Sequence, residues 1–278
     1  MKDSEQTRRD VSVDYAKALK SQGNGCCGGP VPKGVVARIA GYSDADFAAL
    51  PTEAVVNSFG CGDPLAFSEV RPGQVVLDLG SGAGIDLLLA AKKVGADGKV
   101  IGVDMTGEMI AKAKENIAAA GLTNAEVRKG IIEKLPVEDA SVDWVISNCV
   151  INLSPEKHLV FAEIARVLKP GGTMLVSDIV AEDLPADIAA NRHLYSSCLA
   201  GAISEEAYVN GLREAGLAEV EVVDRLVYDT ARLEMFIGSE LQDTGSSCCC
   251  STVDTALARR WAEQLTGKVA SIKVLARR

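Results

Sequence analysis

Between residues 75 and 180, short apolar runs alternate with helix-like segments, and this alternation restricts the possible fold more than any other feature. The apolar runs have the length and composition of strands that are buried on both faces of a sheet. They read VVLDLG from Val75, KVIGVDM (99–105), AEVRKGII from Ala125, VDWVISNCV (142–150) and TMLVSDIV (173–180). A regular strand–helix alternation predicts a doubly wound α/β fold, in which helices cover both faces of a parallel sheet.

The segments on either side of this alternating region have different patterns. Residues 1–20 predict an amphipathic helix. Residues 184–216 predict helix, residues 218–230 predict a strand, and roughly the last 25 residues predict one amphipathic helix. Within the alternating region, Ser154 is a predicted helix N-cap, and that helix is expected to end at Pro170-Gly171-Gly172.

The composition narrows the possible functions. The net charge is −9 and the pI is about 4.9, whereas proteins that grip nucleic-acid backbones usually have basic surfaces. No apolar stretch is long enough to span a bilayer, and the charged N-terminus has no signal-peptide pattern. We therefore expect a cytoplasmic enzyme that acts on a small molecule and binds neither nucleic acid nor membrane.

A glycine-rich turn follows the first predicted strand, in LDLGSGAG (77–84). Glycines there allow positive φ angles and a close approach of the backbone to a ligand. Asp104 follows about 20 residues later at the end of the second strand, where a carboxylate can accept hydrogen bonds from ribose hydroxyls. The turn departs from the dinucleotide pattern, since Ile85 occupies the position of its third glycine, and no P-loop lysine follows. These features predict a nucleoside cofactor.

LDLGSGAG, VIGVDMT, GIIEKLP with VEDASVDWVISN, and LKPGG resemble the class I S-adenosylmethionine methyltransferases over roughly residues 57–180. The resemblance implies S-adenosylmethionine as the cofactor and S-adenosylhomocysteine as its product. It implies that the cofactor is bound by Gly80, Ser81, Gly82, Gly84, Asp104, Met105, Ile132, Glu133 and Asn148. Met105 and Ile132 could instead be ordinary strand-end packing, and Asp78 could either orient the glycine turn or contact the cofactor directly.

Three single cysteines fall where the predicted fold would bring them together. Cys149 ends the fourth strand, at the sheet edge where ligands bind in open α/β sheets. Cys61 precedes the alternating region and Cys198 follows it, so both flanks can fold over that edge. Converging thiols would bind a thiophilic centre. The alternative is that these cysteines fill space in the core, because free cysteine is often buried.

FGCGDP, ISNCVINLSPEK and YSSCLAGAIS resemble the arsenite methyltransferases, a subgroup of the same superfamily, and this resemblance covers about residues 25–240. It implies that Cys61, Cys149 and Cys198 ligate trivalent arsenic, and that Cys26 or Cys27 is a further functional thiol. It also implies As(III) or its thiol conjugates as substrate, and a thiol reductant such as glutathione or thioredoxin. The Cys248–Cys250 triplet either gathers arsenic or belongs to a tail outside the site.

Four segments are predicted from these features. Residues 1–56 form an N-terminal helix and cysteine-containing loop, 57–183 the cofactor-binding domain, 184–240 the arsenic-binding region, and 241–278 a cysteine-containing linker and a helix. We expect a monomer. Arsenic held by three thiolates keeps a lone pair that can attack the sulfonium methyl group, so no general base is required.

Two other functions remain open from the sequence. One is methyl transfer to a carbon or oxygen atom of a small organic molecule. The other is a non-enzymatic thiol protein that binds metalloids, although such a protein would not need the glycine turn or Asp104.

Overall fold

The computed structural model describes residues 4–21, 69–241 and 255–278. Helix α1 is Ser4–Ser21. The strands are β1 Val75–Leu79, β2 Lys99–Asp104, β3 Ala125–Lys129, β4 Val142–Asn148, β5 Leu168–Ala181, β6 Ala218–Val227 and β7 Val269–Arg277. The other helices are α2 Ile85–Val94, α3 Gly107–Ala119, α4 Lys157–Val167, α5 Ala186–Ala189, α6 Arg192–Ser196, α7 Glu205–Glu214, α8 Thr230–Glu240 and α9 Thr255–Leu265. A 3₁₀ turn spans Ile151–Leu153.

The seven strands form one sheet in the order β3-β2-β1-β4-β5-β7-β6. Strands β1 to β5 pair in parallel, whereas β7 is antiparallel to both β5 and β6. The strand order reverses at β1 and β4, and the crevice at such a reversal is where ligands bind in open α/β sheets. The doubly wound fold predicted from the sequence is therefore confirmed.

Apolar clusters on the two faces of the sheet hold its helices. One cluster packs α4 and α7 against the sheet through Phe161, Ile164 and Tyr208. The other packs α2 and α3 through residues such as Leu88 and Ile110. A third cluster lies at the carboxyl edge of the sheet, where α1, α6, α8 and α9 pack around the loops that follow β4 and β5.

The predicted N-terminal helix and the helix that ends before Gly216 are both present. Two predictions about the helix that follows β4 are wrong. Ser154 does not cap the following helix, because it ends the 3₁₀ turn and the helix begins at Lys157. That helix ends at Val167, before the Pro-Gly-Gly segment, because Leu168 already pairs with Val142 at the start of β5.

The last 25 or so residues do not form a single helix. Helix α9 ends at Leu265, and the chain continues as strand β7. Gly267, with a φ of +77°, lies in the turn between them, and a glycine in this conformation commonly ends a helix. Strand β7 is almost entirely buried between β5 and β6, so burial on both faces fixes this segment as strand.

None of the helices in the described ranges is long and apolar enough to cross a bilayer.

Candidate functional site

A pocket opens at the carboxyl edge of the sheet, between the ends of β1, β2 and β4. Its base is the turn that joins β1 to α2. Gly80 has a φ of +63°, and a Cβ atom there would lie 2.3 Å from a methyl carbon of Val150. Any larger residue would therefore be strained and would collide with the loop after β4. Glycine at this position therefore allows the two loops to pack against each other.

Asp104, at the end of β2, faces the same pocket. Its carboxylate accepts hydrogen bonds from the backbone N–H of Gly82 at 2.9 Å and of Thr106 at 2.8 Å. Burial raises the pKa of Asp104, and these N–H donors oppose that rise. The hydrogen bonds hold the carboxylate in one orientation next to the glycine turn, as required of a group that recognises a ligand hydroxyl.

Acidic groups dominate the electrostatics of the pocket. The described side chains that line it include four acidic ones, Asp78, Asp86, Asp104 and Glu133, and one basic one, Arg8. Burial, together with the nearby charge of Asp86, raises the pKa of Asp78. An N–H group of Leu87 in α2 opposes that rise. A pocket with this balance of charge favours a ligand that carries positive charge.

The wall opposite the glycine turn contains the other residues expected at the cofactor. Met105, Ile132, Glu133 and Asn148 all line the pocket. Asn148 donates a hydrogen bond to Asp86 at 3.3 Å. The hydroxyl of Ser154 donates to Glu133 at 2.6 Å, and Glu133 also pairs with Arg8. Hydrogen bonds thus join the end of β4 to the start of α2, and the 3₁₀ turn to the segment after β3.

Helix α1 covers the pocket, which the sequence did not predict. Arg8, Val11 and Tyr15 line it from one face of the helix. Polar contacts hold the helix in place. The hydroxyl of Thr106 donates a hydrogen bond to the hydroxyl of Ser12 at 3.2 Å, and Asp14 forms an ion pair with Arg192 at 2.9 Å. The spacing of Val11 and Tyr15 indicates an amphipathic helix, but amphipathicity alone does not identify the surface against which a helix packs.

The structure brings two of the predicted arsenic ligands together beside the pocket. Cys149 lines the pocket directly after β4, and Cys198 lies two residues after the end of α6. The Cys198 thiol donates a hydrogen bond to the carbonyl oxygen of Cys149. Both residues are buried, with 5% and 2% of their surface exposed. Burial raises the pKa of the Cys198 thiol well above its usual range.

All nine residues expected at the cofactor line this single pocket. Cys26, Cys27, Cys61 and the Cys248–Cys250 triplet lie outside the described residues. Among the lining residues that sequence reasoning missed are Arg8, Val11, Tyr15, Asp86, Thr106, Met109, Leu153 and Ser154. Thr106 and Ser154 lie close in sequence to residues that were predicted. The lining residues of α1 are not close in sequence to any predicted cofactor residue.

The sheet order and the position of the pocket define a methyltransferase domain of the class I type. A family model described as "Methyltransferase domain" matches residues 71–216, which is more than half of the chain.

Relatives specify the family further. The chain is 43% identical to an arsenite methyltransferase of Halobacterium salinarum over 238 residues, covering 81% of this chain and 60% of that protein. It is 34% identical to the Homo sapiens arsenite methyltransferase, covering 70% of this chain and 54% of that protein. It also resembles the crystal structure of an arsenic(III) S-adenosylmethionine methyltransferase from Chlamydomonas reinhardtii. That match has a TM-score of 0.66 and 33% identity, and it covers 83% of this chain and 71% of that one.

The chain therefore belongs to the arsenite S-adenosylmethionine methyltransferase family. It spans 60% or less of the length of the arsenite methyltransferases named here from Halobacterium salinarum and Homo sapiens.

Proposed function

We propose that this chain transfers a methyl group from S-adenosylmethionine to thiol-bound trivalent arsenic, giving methylated arsenicals. The observation that carries the proposal is the contact between Cys198 and Cys149 at the rim of the acidic pocket. Two buried cysteine residues next to a methyl-donor pocket are suited, once reduced, to a thiophilic acceptor.

The pocket fits S-adenosylmethionine on the evidence of its own polar groups. The buried Oδ2 of Asp78 and Oγ of Ser81 have no hydrogen-bond partner in the described part of the chain. Buried polar atoms are normally paired, so such atoms suggest a ligand that supplies partners. When bound, the cofactor supplies an electrophilic methyl group on a sulfonium centre. The acidic lining complements its positive charge, and Asp104 is oriented to bind ribose hydroxyls.

The remaining contacts with the cofactor are assigned on the same basis. Gly80, Ser81, Gly82 and Gly84 would border its methionine and ribose, with Asn148 near the methionine end. Met105 would lie against the adenine, and Ile132 and Glu133 at the adenine edge. Helix α1 would limit the access of water through Val11 and Tyr15, and exclusion of water favours a reaction in which a cation becomes neutral.

Cys61, Cys149 and Cys198 are the proposed arsenic ligands, and Cys26 or Cys27 is the proposed additional thiol. Burial keeps the Cys198 thiol protonated at neutral pH, so its proton must leave when the arsenic–sulfur bond forms. With arsenous acid as substrate, each hydroxide displaced from arsenic leaves as water with a thiol proton. The arsenic stays trivalent during this exchange and keeps its lone pair, which is the nucleophile. Forming the arsenic–carbon bond with that pair formally oxidises arsenic by two electrons, while the electrons of the broken carbon–sulfur bond stay on the departing S-adenosylhomocysteine. The proposed thiol reductant would return the methylated arsenic to the trivalent state. The main contribution of the protein is to hold the reacting atoms close together and in line.

A thiol reductant, glutathione or thioredoxin, is the proposed partner. Cys149 is disulfide-bonded in the structure, and a sulfur atom in that state must be reduced before it can bind arsenic.

We place the reaction in the cytoplasm, where thiols are kept reduced, and propose that the chain acts as a monomer. We propose that the chain is divided into four segments: an N-terminal segment (1–56), a cofactor-binding domain (57–183), an arsenic-binding region (184–240) and a C-terminal segment (241–278).

The first test compares wild type with Cys149→Ser in an assay with labelled S-adenosylmethionine, arsenite and a thiol reductant. We expect the label to appear in methylated arsenic with wild type. We expect a loss of at least about a hundredfold with the variant, because a misplaced acceptor loses the proximity effect.

Binding of S-adenosylhomocysteine is the control for this comparison and should be similar in both proteins. Wild type that binds the cofactor product but leaves arsenic unmethylated would refute the proposal. A small organic molecule would then be the acceptor to seek.

A further inference from the structure

The segment 149–154, which carries Cys149, and the segment 195–203, which carries Cys198, contact each other at several points besides the cysteines. The hydroxyl of Tyr195 donates a hydrogen bond to the carbonyl of Leu153 at 3.3 Å. The backbone N–H of Ala181, at the end of β5, donates to the carbonyl of Ile203 at 3.0 Å. The segment containing Cys198 is therefore fixed both to the loop after β4 and to the end of β5.

Gly201 makes the closest of these contacts. A Cβ atom at this position would lie 2.2 Å from the carbonyl oxygen of Asn152 and 3.3 Å from the ring of Tyr195. The obstructing atom belongs to the backbone, so it cannot move aside as the end of a flexible side chain could. Gly201 lies three residues after Cys198, and Asn152 lies three residues after Cys149. The contact between Gly201 and Asn152 therefore lies the same number of residues beyond each cysteine.

Asn152 holds its side of the contact rigidly. Its side chain is fully buried and donates to Asp178 at 2.8 Å and to the carbonyl of Ile179 at 2.6 Å. The ammonium group of Lys157 donates to the carbonyls of Asn152 at 3.3 Å and Ser154 at 2.9 Å. The tyrosyl hydroxyl of Tyr208 donates to Asp178 at 3.3 Å. Asn152 and Gly201 lie outside the pocket lining.

We propose that Asn152 and Gly201 are positioning residues that set the distance between the sulfur atoms of Cys149 and Cys198, and so determine which trivalent arsenicals the pair can bind. This inference rests on the proposed function, because it assigns these cysteines to arsenic. Arsenic–sulfur bonds tolerate only small changes in length, whereas a Cβ at residue 201 would force the two segments apart by about 1 Å to restore van der Waals contact.

The test uses the full chain with Cys26, Cys27, Cys61 and Cys248–Cys250 replaced by serine, so that Cys149 and Cys198 are its only cysteines. The probe is phenylarsine oxide, measured under reducing conditions. Two arsenic–sulfur bonds form, and the arsenic-bound oxygen leaves as water with both thiol protons. Arsenic stays trivalent throughout. We expect one phenylarsine oxide bound per chain.

Gly201→Ala in this background should weaken phenylarsine oxide binding by about tenfold or more. Tyr195→Phe removes one hydrogen bond between the two segments and should weaken binding by about two- to tenfold. Gly238→Ala is the matched control: a Cβ there has no atom within 4 Å, and its φ is not positive. S-adenosylhomocysteine affinity should stay constant in all three variants, which a general folding defect would not allow.

Unchanged phenylarsine oxide affinity in a folded Gly201→Ala protein would overturn the inference. If Gly201→Ala does not fold, Tyr195→Phe decides in its place, and unchanged affinity there would overturn it. A two-cysteine protein that binds no phenylarsine oxide would also overturn it. The methyl-transfer assay on the natural chain tests the proposed function separately, so the two failures are distinguishable.

Discussion

At the scale of single residues, both described cysteines of the site adopt a conformation that side chains rarely adopt. The φ angles of Cys149 and Cys198 are +57° and +72°. A non-glycine residue in this region costs about 1–3 kcal/mol and persists only when its surroundings enforce it. Here the enforcing contacts include the bond from the Cys149 N–H to the Ser177 carbonyl and the contact between the two cysteines. This strain agrees with a role for both residues in function.

Asp178 gives the protein a predictable dependence of stability on pH. Burial raises its pKa from 3.8 to about 7, against the effects of the Ile179 N–H, Lys157, Tyr208 and Asn152. Between these pH values the native carboxyl retains a proton that the unfolded chain has released. The free energy of unfolding therefore falls as the pH rises from about 4 to about 7.

Asp178→Asn should flatten this decline by about 1 kcal/mol or more between pH 5 and pH 7, measured by urea unfolding. Part of the slope should remain, because burial also raises the pKa of Glu240 to about 7. Asp97→Asn, an exposed change, should leave the profile as in wild type. An identical slope in wild type and Asp178→Asn would show that Asp178 does not titrate in this range.

At the same scale, the sequence was sufficient to predict a site residue where one physical property explains why that residue type occurs at that position. Gly80 and Asp104 were predicted because positive φ angles and strand-end carboxylates have few other uses in such a turn. The structural roles of Asn152 and Gly201 could not be predicted. They depend on a contact between segments about 50 residues apart, and nothing in either local sequence indicates which backbone atom the other segment will meet.

At the scale of elements, helix α1 shows that a correct secondary-structure prediction can leave function unassigned. Val11 is 2% exposed and lines the pocket, whereas Val13 on the opposite face is 47% exposed. A cation at residue 11 would occupy the pocket and pair with its carboxylates, in competition with a cationic cofactor. We expect Val11→Lys to weaken binding of S-adenosylmethionine by about tenfold or more.

Isothermal titration with S-adenosylmethionine measures this effect, and Val13→Lys is the matched control because it adds the same charge on the exposed face. Equal affinities for the two variants would mean that α1 does not cover the cofactor. The thermal midpoints of both variants should be recorded, because burial of an unpaired lysine also lowers stability.

The C-terminal strand shows why some elements escaped the sequence analysis. Residues 269–277 read VASIKVLAR, which includes β-branched residues favoured in strands, but the helical pattern of α9 runs directly into them. Gly267 was the available signal for a break. The antiparallel position between β5 and β6 is set by tertiary packing, which no periodicity in this segment specifies.

At the scale of the whole molecule, the fold places the cofactor pocket and the two cysteine segments on one edge of one sheet. Strands β1, β2 and β4 end at the pocket, and the segments after β4 and α6 carry Cys149 and Cys198. A ligand that binds only the native state stabilises it by RT ln(1 + [L]/Kd), about 2.7 kcal/mol at a hundredfold excess over Kd. Each ligand should therefore raise the melting temperature of the entire chain.

We expect S-adenosylhomocysteine at a hundredfold excess over its Kd to raise the melting temperature by several degrees. Arsenite with a reductant should add a shift of its own. In Cys149→Ser, the arsenite shift should largely disappear while the S-adenosylhomocysteine shift remains, because the proposed role of the Cys149 sulfur is to ligate arsenic and serine changes that one atom. Loss of both shifts would mean that the variant disturbs the shared edge as a whole. Retention of both would place the arsenic elsewhere, since an arsenite shift that survives Cys149→Ser cannot depend on the Cys149 sulfur.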